Sequence, residues 1–339
     1  MRTRTFIGLT AAAGAAAAGY AALIERNWFV LRRYEVPVLP SGAAPVRVLH
    51  ISDTHLTPRR GKMMSWIRAL DALDPHLVVN TGDSIAHPQA VPSLLNALGP
   101  LLDRPGVFVL GSNDLYSPRP RNPARYLYRK NHGKDERGAP TLPWEKLRDG
   151  MTEAGWLDLD NQRGRLRAGG LDIALAGVHD SHVARDRYSD VAGRADPAAD
   201  LRIGVMHSPE PRLLDLFAAD GYDLLLAGHT HGGQLCLPRF GTLVTNCGLD
   251  RKLARGLHRY PTARCSGDAR RTEDGQNGTA GGDGRNDIGG GDSNRAEAGG
   301  GDLDGRAWLH VSAGLGTSPW APARFACRPE ATLLTLTPR

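Results

Sequence analysis

An α/β fold with parallel strands is what this chain of 339 residues predicts. Three observations carry that expectation. Short apolar runs alternate with segments of helical spacing, the pattern of βαβ units. Most of these runs end in a polar cluster holding Asp, Asn or His. The clusters therefore fall at strand carboxyl ends, where open α/β sheets gather their ligands.

The elements follow in order. Residues 46–51 are an apolar run that predicts a buried strand ending at Ser52-Asp53. Lys62 to Leu73 has helical spacing, Leu77 to Asn80 reads as a strand ending at Gly82-Asp83, and Ala90 to Leu102 as a second helix. Val107 to Leu110 is a third strand, leading to Gly111-Ser112-Asn113-Asp114. The pattern fails from Tyr116 to Gly150, a proline- and arginine-rich excursion that reads as a lid or a disordered insert. Trp156 to Ala176 reads as short strands broken at Arg163-Gly164 and Gly169-Gly170. Ile203 to Met206 is a strand ending at His207, Leu213 to Ala219 a helix, and Leu224 to Ala227 a strand ending at Gly228-His229. Residues 266–306 are dominated by Gly, Asp, Asn and Arg, with too few apolar side chains to offset the entropy of ordering. They read as a disordered insertion, without the regular period of a calcium-binding repeat. Trp308 to Ala313 and Ala331 to Thr337 resume as strands, so the insertion interrupts one domain spanning 46–339.

Ahead of that domain, Arg2 and Arg4 precede Phe6 to Ile24, an uncharged stretch of about 19 residues that is long enough to cross a bilayer. A cleaved signal peptide and a retained signal anchor both fit it. Trp28 and Tyr34 among Arg26, Arg32 and Arg33 have the composition of an interfacial flank, which favours an anchor over residues 1–35. Arginines on both sides leave its orientation open. Val36 to Pro45 reads as a proline-rich spacer.

The net charge of +6 is spread without a Lys/Arg block, which argues against nucleic acid as the partner. It suits an anionic phosphate or membrane face, and equally an ordinary basic surface. Cys236, Cys247, Cys265 and Cys327 form no CxxC pair, so zinc-finger and redox readings lack support. A Cys236–Cys247 disulfide and two free buried thiols both fit the spacing.

The chemistry lies in Asp53-Thr54-His55, Gly82-Asp83, Asn113-Asp114, His207 and His229-Thr230-His231. Structural zinc is closed by four ligands, fewer than these clusters supply. Two adjacent hydrolytic ions need about this number. Asp53 and His55 alternate, so at an extended strand end both face one ion. Asp83 has two oxygens and can bridge, Asn113 adds a neutral oxygen, and Gly232-Gly233 permits a tight turn. Nitrogen and oxygen ligands without thiolate suit manganese, iron or zinc.

These motifs, with Gly228 before His229, resemble the calcineurin-like metallophosphoesterase signature from about Val46 to the C-terminus, outside the insertion. Gly314-Leu315-Gly316-Thr317-Ser318, Arg324-Phe325 and the anchor-like N-terminus resemble its membrane-associated bacterial branch. The resemblance implies a four-layer α/β/β/α sandwich with two divalent ions. Asp53, His55, Asp83 and His231 would hold one; Asp83, Asn113, His207 and His229 the other. It implies hydrolysis of a phosphomonoester or phosphodiester by a metal-bridging hydroxide, with Arg119, Arg121 or Arg324 neutralising phosphoryl charge. At a bacterial cell membrane that ester would be lipid-linked or belong to the envelope.

One motif departs. The family has Gly-Asn-His followed by an acid, whereas Gly111-Ser112-Asn113-Asp114 stands here. Matching Gly to Gly would make Ser112 the ligand; matching Asn to Asn keeps the better donor and puts Asp114 where the histidine belongs. Asp114 can serve as a general acid only if burial raises its pKa. His179 and His182 are the other candidates for that proton. The altered motif also leaves open a non-catalytic metal-binding scaffold. A nuclease is a third reading, against which the scattered charge weighs.

Overall fold

A computed structural model describes residues 12–120, 139–261 and 307–339. Its strands in chain order begin with β1 (Val30–Leu39), β2 (Val46–Ile51), β3 (Leu77–Asn80), β4 (Gly106–Phe108) and β5 (Leu157–Asp158). Then come β6 (Gln162–Ala168), β7 (Leu171–Val178), β8 (Leu201–Met206), β9 (Leu224–Ala227), β10 (Cys236–Leu237) and β11 (Gly241–Thr242). The last are β12 (Gly256–Tyr260), β13 (Ala307–Val311) and β14 (Glu330–Pro338). The longer helices are α1 (Gly61–Ala69), α2 (Val91–Leu98), α3 (Trp144–Glu153) and α4 (Pro211–Ala219).

Two six-stranded sheets result, ordered β1-β14-β2-β3-β4-β5 and β12-β13-β9-β8-β7-β6. The β2-β3-β4-β5 run and the β7-β8-β9-β13 run are parallel. Strand alternation decides which side chains meet. Leu49, Ile51, Val78 and Phe108 turn outward onto Met63 and Ile67 of α1, Leu94 and Leu98 of α2, and Leu147 of α3. Their neighbours Val46, Val48, Val79 and Val107 turn inward and meet Ile173, Ile203, Val205 and Leu226 of the second sheet. The far face of that sheet is covered by Leu213, Leu214 and Phe217 of α4. Each fully buried Leu, Ile or Val contributes roughly 1.5–3 kcal/mol. The layering is helices, sheet, sheet, helix, and it aligns the carboxyl ends of the parallel strands along one edge.

Two expectations change, and one open alternative is decided. Val36 to Pro45 is not all spacer: residues through Leu39 belong to β1, where Val36, Val38 and Leu39 are buried beside β14. Pro37 is tolerated because β1 is an edge strand, and the ladder slips between Pro37 and Leu39. Arg163-Gly164 does not break its strand, whereas Gly169 and Gly170, both at positive φ, form the β6–β7 turn. The described cysteines are free, and Cys236 packs with Ala313 and Cys327, not with Cys247.

The expected insertion and part of the Tyr116–Gly150 excursion lie outside the described residues. The strands flanking the insertion are paired neighbours, Tyr260 beside Ala307. At the N-terminus, residues 12–19 are helical and mostly exposed, followed by turns at Tyr20–Ile24 and Glu25–Asn27. Among the described residues no helix is long and apolar enough to cross a membrane. Val30 to Tyr34, expected as an interfacial flank, are part of β1.

Candidate metal centre

The clusters sit in the loops leaving β2, β3, β4, β8 and β9. Asp53, His55, Asp83, His229 and His231 all have positive φ, between 39° and 68°. That backbone is costly for residues other than glycine and concentrates at functional sites. It also corrects the alternation argument. β2 ends at Ile51, and left-handed turns, not the strand pleat, aim Asp53 and His55 inward. Two glycines make room for the carboxylates. A Cβ on Gly228 would lie 2.6 Å from Asp53 Oδ2, and one on Gly111 2.2 Å from Asp83 Oδ1.

Asp53, His55 and His231 bring ligand atoms within 4.8 Å of one another, and so do Asp53, Asp83 and His207. Asp83 Oδ2 stands 3.5 Å from both His55 Nε2 and His207 Nε2. His55 Nε2 and His231 Nε2 are 3.1 Å apart, and His229 Nδ1 is 3.3 Å from His207 Nε2. The backbone selects the free nitrogens. His207 Nδ1 donates to Thr81 O at 2.7 Å, leaving Nε2 for a ligand. His229 Nε2 donates to Asn246 O at 3.3 Å, leaving Nδ1. Asn113 Nδ2 donates to Asp83 Oδ2 at 2.7 Å, and a half-turn of the amide would present its oxygen instead. Buried acceptors crowded this closely repel one another unless cations lie among them. The residues present fit hard or borderline divalent ions.

Electrostatics agrees. Burial raises Asp53 to about 6. Burial pushes Asp83 up as well, but His207, His55 and the Asn113 amide outweigh it and hold it well below the usual range. His207 is the converse: burial lowers it, yet Asp83, Asp180 and Asp53 hold it well above the ordinary imidazole value. His55 and His229 fall to about 4, chiefly through burial. Ions would displace the His207 proton, so their binding opposes acid.

Two expected roles are corrected. Asp114 is fully buried, and its carboxylate is taken up by backbone amides. Its Oδ1 accepts from Ser84 N (2.6 Å) and Ile85 N (3.0 Å), and its Oδ2 from Gly111 N (3.0 Å). Burial and then Asp83 raise it to about 7, against the pull of those amides. With both oxygens held by backbone, it clamps the Asp83 and Asn113 loops together and cannot reach a leaving group. Arg324 is 0% exposed and cannot touch substrate. Its guanidinium donates to Ala313 O (2.7 Å) and Gly316 O (2.7 Å) and lies 3.3 Å from His231 Nδ1.

The other candidates separate. His179 Nδ1 accepts from Asp180 N at 2.6 Å, and its Nε2 faces Asp160 at 3.8 Å. The His182 ring packs on His229 at 4.8 Å. Asp180 ties this loop to the third cluster, accepting from Ser112 N (2.9 Å) and His182 N (2.8 Å). Arg119 is half-buried, and Arg121 lies outside the described residues.

One chain of residues goes unannounced by the sequence. Ser52 Oγ donates to Asp53 Oδ2 (2.5 Å), Thr81 Oγ1 to Ser52 (2.6 Å), and His50 Nε2 lies 2.9 Å from Thr81. His310 lies beyond His50. His50, a polar residue inside an apolar run, was the available signal.

Strand-end Asp and His clusters of this kind define a metal-binding hydrolase centre. The chain belongs to the calcineurin-like phosphoesterase family, whose sequence pattern matches residues 46–233. Membership implies a metal-dependent phosphoester hydrolase. The uncharacterised protein YpbG of Bacillus subtilis is 28% identical over 240 residues, 69% of this chain and 79% of its own. Phosphodiesterase YaeI of Escherichia coli is 27% identical over 247 residues, 70% and 80% of the two chains. A Bos taurus transmembrane protein with a metallophosphoesterase domain is 27% identical over 59% of this chain and 44% of its own.

Proposed function

We propose that the protein is a dinuclear metal-dependent phosphoesterase acting on a phosphodiester or phosphomonoester. The observation that carries this is Asp83 Oδ2, placed 3.5 Å from an imidazole of each ligand group. Asp53, His55 and His231 would hold one ion and Asn113, His207 and His229 the other, with Asp83 shared. Bound ions of manganese, iron or zinc would supply an activated water and neutralise phosphoryl charge. The chain's own residues supply the rest. Thr81 O and Asn246 O fix the tautomers of His207 and His229. Asp114 and Arg324 hold the loops. His182, beside His229, gives the leaving oxygen its proton.

The substrate is a lipid-linked or envelope phosphate ester, and the segment ahead of β1 anchors the chain at a bacterial cell membrane. The uncharged Phe6–Ile24 stretch and the transmembrane relative support this. Hydrolysis of bis-p-nitrophenyl phosphate with added manganese, with metal content measured on the same sample, tests the activity. Absent turnover with both ions bound would favour the non-catalytic scaffold, which the missing third-motif histidine supports.

A further inference from the structure

We infer that the surface beside His231 docks on an anionic lipid bilayer and presents the metal centre to phosphoesters carried by lipid headgroups. The docking stands on the surface itself; only the substrate rests on the phosphoesterase reading.

Among the described residues, every exposed large apolar side chain except Leu216 sits on one of three segments. The N-terminal turn carries Leu23 (75% exposed) and Trp28 (51%). The β10–β11 hairpin carries Leu235, Leu237 and Phe240, the last 84% exposed. Trp320, 56% exposed, stands on the loop before β14.

These segments share one spine, residues 321–326. Arg324 N donates to Ala21 O (3.0 Å), and Arg26 to Pro322 O (3.2 Å). Gln234 Nε2 donates to Ala321 O (2.6 Å), and Cys236 N to Phe325 O (2.8 Å). The three segments that carry the apolar side chains therefore adjoin one another, and they adjoin the metal centre. Gln234 follows His231 by three residues, and Arg324 on the spine lies 3.3 Å from the His231 ring.

Charge on this surface is predominantly positive: Asp250 is exposed just past the hairpin, where the exposed Arg251 and Lys252 outnumber it. Residues 12–34 contain one carboxylate, Glu25, and residues 232–249 and 312–329 contain none. Glu25 is buried and accepts from Ala326 N and Cys327 N. Arg324 is buried in the spine, but two other cations face outward: Arg239 is exposed on the hairpin, and Arg328 stacks on Trp28 at 4.1 Å. Aromatic tips among an excess of exposed cations match the boundary of an anionic bilayer. The described part of the uncharged Phe6–Ile24 stretch leads into this same surface, and its residues 12–18 are exposed. An exposed apolar area of this kind marks an interaction site, and its charge and leading segment select lipid over a second protein.

The test uses the full chain. Its binding is measured to vesicles of phosphatidylglycerol mixed with phosphatidylcholine, and to phosphatidylcholine alone. A Leu237→Ser/Phe240→Ser variant should bind the anionic vesicles about tenfold more weakly. Its turnover of soluble bis-p-nitrophenyl phosphate should stay at the wild-type level. Brominated lipid should quench Trp320, read as the difference from Trp320→Phe. Unchanged vesicle affinity with no Trp320 quenching would overturn the proposal. So would unchanged affinity with a dimer-to-monomer change, which would assign the face to a second copy. If even the wild type lacks turnover, the catalytic reading fails while the vesicle results still decide the docking.

Discussion

His50 and His310 meet through their Nδ1 atoms, 2.8 Å apart, joining one sheet to the other behind Asp53. Counting donors fixes the direction of the chain they begin. The Asp53 carboxylate accepts from Ser52, and Ser52 accepts from Thr81. Thr81 has spent its proton, so His50 Nε2 donates to it, and His50 Nδ1 accepts from His310. Every proton in the chain points toward Asp53, favouring the charged carboxylate that a metal needs.

Thr81→Val should therefore weaken metal binding by about 10–100-fold. It should also cost about 1–3 kcal/mol of stability, because His50 and Ser52 lose a buried partner. Calorimetric metal titration and urea unfolding read the two effects separately. Wild-type metal affinity in a destabilised Thr81→Val would reduce the chain to a structural strut.

The same pair sets an acid limit on stability. Burial lowers His50 to about 3, and burial with His50 alongside holds His310 well below the imidazole range. In the unfolded chain each titrates near ~6.5. The unfolded state then binds more protons in acid, so stability is full above that value and falls toward pH 3. Each histidine contributes about 1.4 kcal/mol per pH unit to the fall. In metal-free protein, urea unfolding of His310→Phe should show a shallower loss below pH 6 than wild type, by about that slope. Parallel curves would refute the linkage.

Asp83→Ala removes the oxygen that faces both imidazoles. Metal content should fall for both ions, and turnover should drop by roughly a hundredfold or more, the upper end of outer-shell losses being exceeded by a lost ligand. Elemental analysis of the purified variant decides. Full occupancy of both sites with near wild-type turnover would sink the shared-ligand assignment.

The fold was legible where one strand runs between one helix and the next. Residues 46–51 and 77–80 declare themselves by apolar composition and punctuation. β1 was hidden because its inward Val36 and Val38 are interrupted by Pro37, and only β14, some three hundred residues on, reveals it as an edge. Ligand types were legible for a similar reason: Asp and His after an apolar run are locally conspicuous. Orientation was not. Asp114 looked catalytic because its neighbour is a candidate ligand, but the Ser84 and Ile85 amides that capture it come from another loop. Arg324 looked like a cation for the phosphoryl group, and the carbonyls of residues 313–316, far from evident in the sequence, explain its burial.

Asp114→Asn tests that correction. An amide cannot accept from all three backbone donors with both ends, so at least one amide is left unpaired, at about 1–3 kcal/mol. The pH profile of kcat should keep its shape. A lost alkaline limb in Asp114→Asn would restore Asp114 as the general acid.

The proton must then come from elsewhere, and His182 is placed for it by its packing on His229. A leaving group that departs readily as an anion needs no proton, whereas an alkoxide does. His182→Gln should therefore leave hydrolysis of p-nitrophenyl esters almost unchanged and slow an alkyl phosphodiester by about 10²–10⁴-fold. The split between substrates carries the assignment, because a merely structural loss would slow both alike. Equal losses on the two esters, with metal content intact, would remove His182 from the mechanism and leave Asp180's loop as scaffolding for the Ser112 amide.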